Sequence, residues 1–152
     1  MPTITIPLSL LGLVPFIVGG LAAVGHIPHT AEIALVALID YAALILAFAG
    51  GVHWGLALLP GTAHASLRIA LGVVPMLVAW AAVVLAQMVA PTVALCVLIL
   101  GYLATVLTEH RAAQRFLLPE RYVWLRWGFS AVAAAMMLIV VIVRGLGQTI
   151  VF

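Results

Sequence analysis

Charge is what this chain has least of. Asp, Glu, Lys and Arg together make up 7% of its 152 residues, and lysine is missing altogether. A soluble domain carries about a quarter charged residues, so a water-facing surface of ordinary composition is excluded. A formal charge of +2 with no basic stripe argues against nucleic acid as a partner. Cys96 is alone, which removes both a disulfide framework and a thiolate metal site, and inside an apolar run it reads as a small buried hydrophobe. No Lys or Arg precedes the first apolar run, so the positive leader of a secretory signal is lacking and the run reads as a retained span. There is no HExxH, no GxSxG with triad partners, no P-loop and no CxxC. The expectation is therefore no catalytic residue, no metal, no cofactor and no enzyme activity.

What the chain has in abundance is apolar surface, at 67% of residues. A domain this small cannot hide so much from water, and lipid is the solvent that suits it. Apolar runs at about 7–24, 31–59, 67–89, 91–107 and 127–143 predict an all-α fold, an integral membrane bundle of five transmembrane helices in one domain over 1–152. Thr30 is available as an N-cap for the second helix. The second run is about 43 Å long at 1.5 Å per residue, so it tilts or extends into a headgroup layer. Pro15 and Pro75 fall inside the first and third helices, where membrane helices tolerate them.

Between the last two runs, residues 108–126 read as a polar loop that holds six of the ten charged residues, with Phe116, Tyr122 and Trp124 suited to the headgroup layer. Alternating the spans places Arg68, Arg111, Arg115, Arg121 and Arg126 on one side and Arg144 alone on the other. The positive-inside rule then puts the N-terminus in the cytoplasm and the C-terminus outside.

The second helix carries the polar groups of interest. Ala43, Ala47, Gly51 and Gly55 are spaced by four, a pattern that lets helix backbones approach closely, and they are expected to form a packing seam. On a helical wheel Asp40 falls within that stripe and Trp54 beside it, so Asp40 is expected to face protein. A carboxylate in lipid costs roughly 2.5–3.5 kcal/mol even on a lenient scale, so it needs a partner or a proton. Two ion pairs are expected: Arg144 with Glu32 or, reaching inward, with Asp40; and Arg68 with Glu109 across an antiparallel helix pair. Asp40, Tyr41, His53 and Trp54 are the candidate ligand contacts. Haem would want a second histidine at matched depth, which His26, His29 and His110 at the helix ends do not offer.

Three segments together resemble a known family. They are Gly50-Gly51-Val52-His53-Trp54-Gly55 after Asp40-Tyr41, Val74-Pro75 before Ala79-Trp80, and Leu117-Leu118-Pro119-x-x-Tyr122-x-x-Leu125-Arg126. The chain resembles a bacterial domain-of-unknown-function family that includes transmembrane protein 69 homologues. Where that family's pattern has Asp-Arg-Arg at the end of the fourth helix, this chain has Glu109-His110-Arg111. The resemblance implies a small multi-pass protein of the bacterial inner membrane and brings no catalytic residue with it.

Two functions follow as expectations. One is a non-enzymatic accessory or assembly partner of a larger membrane complex, working by lateral contact with other subunits or with itself. The other is a carrier or binder of a lipophilic molecule such as a quinone, tetrapyrrole or lipid, in a pocket lined by the second helix.

Overall fold

The structure is a computed structural model that describes residues 5–59, 61, 64–114 and 120–147. Five helices follow one another: α1 (Thr5–Ala23), α2 (Pro28–Ala57), α3 (Ala65–Met88), α4 (Pro91–Gln114) and α5 (Glu120–Gly145). Each packs on the next, α5 closes against α1, and α2 reaches across the ring to α4. All five are long and apolar enough to cross a bilayer. No strand occurs among the described residues. The protein is an all-α membrane protein.

The helix ends differ from the sequence expectation in two instructive ways. Proline opens α2, with Ile27 extended before it and no side-chain cap, so Thr30 lies inside the helix. Proline's fixed φ and missing N–H suit the first helical position. More important, the polar stretch 108–126 is mostly helix: α4 continues to Gln114 and α5 starts at Glu120. Hydropathy marks where a helix is greasy, not where its hydrogen-bond ladder stops. Two of the charges here, Glu109 and Arg126, find each other inside the bundle, while Arg111, Glu120 and Arg121 stay exposed on the same helices. Arg115, Phe116 and the Leu117-Leu118-Pro119 segment lie outside the described residues.

At the centre, the fully buried Phe16 ring meets Tyr41, Phe129 and Tyr102 edge-on, with centroids 5.2, 5.8 and 6.0 Å away. Edge-to-face contacts of this kind add to what area burial supplies. Both tyrosines find acceptors: Tyr41 Oη donates to the Gly12 carbonyl at 2.8 Å and Tyr102 Oη to the Ala42 carbonyl at 3.0 Å. These bonds tie α2 to α1 and α4 to α2. Thr105 and Thr108 return their hydroxyls to carbonyls of α4 itself.

Packing in lipid depends on close fit, since acyl chains are as apolar as leucine. The closest approach joins α2 to α3. There a methyl group on Gly50 would overlap the Gly72 carbonyl, and one on Gly72 would stand 2.7 Å from the Gly50 carbonyl oxygen. Gly51 and Gly55 are not part of this seam. Both are exposed, and a methyl group on either would meet nothing within 4 Å. The reason is angular. A four-residue step advances about 40° beyond a full turn, so the row begun by the buried Ala43 and the half-buried Ala47 spirals off the packed face. Residues that mix three- and four-residue steps stay on it: Leu35, Leu38, Ile39, Ala42, Leu46, Ala49, Gly50 and His53 are all buried.

Candidate functional site

Polar side chains gather at the end of the bundle that holds the α2–α3 and α4–α5 turns. Glu109, late in α4, has no exposed surface at all. Arg126 of α5 donates through Nε to Glu109 Oε2 at 3.1 Å, and its side chain is only 11% exposed. Tyr122, one turn earlier on the same face of α5, donates its hydroxyl to Glu109 Oε1 at 3.4 Å. The carboxylate is thus held at both oxygens. From α2, His53 is buried toward the same end of the bundle. The hydrogen bonds of this cluster join α4 to α5.

Two buried polar atoms are left over. Arg126 Nη2 and Ser130 Oγ, a turn apart on α5, have no hydrogen-bond partner among the described residues. Beside Arg126, a cavity of about 400 Å³ lies between α1, α2 and α5, lined among others by Ser9, Phe48, Val52, Tyr122 and Phe129.

The opposite end has a simpler device. Arg144, at the end of α5, pairs with Glu32 on α2 and donates to the Ala23 carbonyl at 3.1 Å. A cation at the last carbonyl of α1 also answers the negative end of that helix. One guanidinium therefore joins three helix ends.

Several expected site residues are placed otherwise. Glu109 takes Arg126 in place of Arg68, which makes no ion pair among the described residues. With α5 expected to begin at Trp127, Arg126 reads from the sequence as a loop arginine able to attract anionic lipid and not as the partner of Glu109. The four-residue spacing of Tyr122 and Arg126 was the signal that could have placed both on one helical face. Asp40 is exposed on the outer surface of α2 and makes no ion pair among the described residues. Of the two acids considered for Arg144, Glu32 is the one it reaches.

The four candidate ligand contacts do not converge. Tyr41 is committed to Gly12, and Trp54, 47% exposed, lies over Gly72 and donates Nε1–H to the Ile69 carbonyl at 3.2 Å. His53 is inside and Asp40 outside. His110 is taken up by Gln114, 3.3 Å away, and by the edge of Trp127. Cys96 is exposed on α4, so it faces the surroundings of the bundle and not its core. Among the described residues no three His, Cys, Asp or Glu side chains stand close enough to hold a metal ion.

Neither the curated proteins nor the solved structures contain a match to this chain. A family model does match, over residues 1–142, nearly the whole sequence. The chain belongs to the family described as "Protein of unknown function (DUF3429)".

Proposed function

We propose that this protein works by lateral association in the membrane, as a non-enzymatic accessory or assembly partner of a larger complex. The observation that carries this reading is the position of Asp40. It stands two turns, about 12 Å along the α2 axis, inward of Glu32. In a hydrocarbon core about 30 Å thick that depth is near the middle. An ionisable group there faces a bundle interior or a partner, because lipid cannot solvate it. In the isolated chain it faces outward. Ala47 and the bare Gly51 and Gly55 lie on the same side of α2, where a second helix can come close to the backbone. The occupant is a membrane helix that offers Asp40 a hydrogen-bond donor, from another subunit or from a second copy.

The inner membrane of a bacterium, with the N-terminus in the cytoplasm, is the location that fits. Arg68, Arg111, Arg121 and Arg126 belong to one end of the bundle and Arg144 to the other.

A photo-crosslinking residue at position 51 in native membranes tests the association, with Leu100, exposed on α4, as the control position. One defined protein adduct is expected at 51 and not at 100. The same partner should copurify with the unmodified chain under gentle solubilisation and be lost with Asp40→Leu. Adducts to lipid alone at both positions would end the proposal.

A further inference from the structure

The cavity beside Arg126 has the makings of a binding site. Its lining includes small residues, Ser9 and Gly12 on α1 and Ala49 on α2. Across from them, Tyr122 and Arg126 direct their polar groups to Glu109 on α4, which leaves space between α1 and α5. At about 400 Å³ the space falls within the range that takes a small lipophilic molecule. Leu8 and Phe48, both well exposed, stand at its rim, so it opens to the bilayer and not to the bundle axis.

Its one strong polar feature is an arginine with a donor to spare. Nε of Arg126 is used by Glu109, while Nη2 is buried and unmatched among the described residues. A buried donor without an acceptor is costly, and more so when it is charged. Arg126 lines the cavity, and an oxygen arriving there would recover that loss once the guanidinium turns toward it. Charge selects the kind of oxygen: the donor belongs to a guanidinium, and its strongest hydrogen bonds go to an anionic acceptor.

We propose that the cavity between α1, α2 and α5 binds an anionic amphiphile, whose headgroup oxygen accepts from Arg126 and whose acyl chain lies along Leu8, Ile45, Phe48 and Phe129. The shared chemistry is an oxyanion on an acyl chain, which a free fatty acid or an anionic phospholipid can supply.

The test is a titration of the full, delipidated chain in mild detergent, followed by native mass spectrometry. The four probes are oleate, phosphatidylglycerol, phosphatidylcholine and a neutral isoprenoid quinone. Oleate, phosphatidylglycerol or both should bind one per chain, at least tenfold tighter than the two probes without net charge, and which of them binds identifies the source. Ser9→Phe fills the cavity and leaves the ion pair alone; it should abolish this preference. The double variant Glu109→Gln with Arg126→Gln keeps a hydrogen-bonded pair without charge and should also lose at least tenfold. If that variant does not fold, Ser9→Phe decides. Equal retention of all four probes in the wild type, or anionic binding unchanged in Ser9→Phe, would show annular lipid only and overturn the proposal. Tighter binding of the quinone would overturn it as well.

Discussion

A carboxylate with no exposed surface can stay in a membrane protein only if both oxygens are answered, and Glu109 has Tyr122 on one and Arg126 on the other. Such a pair adds little net stability, because two ions had to leave water, but half of it is costly to lose. Glu109→Ala or Arg126→Ala alone should therefore destabilise the protein by roughly 3–5 kcal/mol, and the matched apolar double variant Glu109→Leu with Arg126→Met should recover most of the loss. Glu32 at the other end is largely exposed, so Glu32→Ala should cost no more than about 1 kcal/mol. Unfolding in mixed detergent with increasing dodecyl sulfate measures all four. Single variants at Glu109 and Glu32 with equal losses would mean that burial of the inner pair carries no weight.

Between elements, the α2–α3 contact depends on two glycines that face each other. Gly50→Ala and Gly72→Ala each force the backbones apart and should cost about 1–3 kcal/mol by overpacking. Gly51→Ala and Gly55→Ala should cost nothing, since nothing is near them, and should gain up to about 1 kcal/mol from alanine's better helix propensity. The same unfolding assay separates these pairs, and a large loss at Gly51 in the isolated chain would contradict the helix orientation. The distinction was beyond the sequence because Gly50 and Gly51 are neighbours in a row of small residues. A spacing rule selects Gly51-x-x-x-Gly55, while the actual face is set by the larger residues from Leu35 to His53 that keep to the interior. Helix number and type were legible, since long apolar runs have one solution in a bilayer. Helix ends in the charged segment were not, because whether a polar residue continues a helix depends on a partner that only the folded bundle supplies.

At the scale of the whole molecule, the arginine distribution predicts which end faces the cytoplasm. Single cysteines at Gly61 and Gly147, in a Cys96→Ala background, test it with an impermeant thiol reagent on intact cells. Labelling is expected at 147 and not at 61, and the reverse pattern would invert the topology. The five-helix count and the membrane setting could be read from composition, yet the two ion pairs that join distant parts of the chain could not both be read. Glu32 and Arg144 stand at apolar-run boundaries on one side, which makes their meeting visible in advance. Glu109 and Arg126 were concealed by the assumption that a charged stretch between two spans is a loop.

The two pairs share a further property. Both acids, Glu32 and Glu109, reside on earlier helices, and both cations, Arg126 and Arg144, are carried by α5. Of the five helices, α5 is the last to leave the ribosome. Until it arrives, a nascent chain with four helices inserted leaves Glu32 and Glu109 without these partners and the α1 terminus without its cation. Arrival of α5 and neutralisation of the buried Glu109 are then a single event.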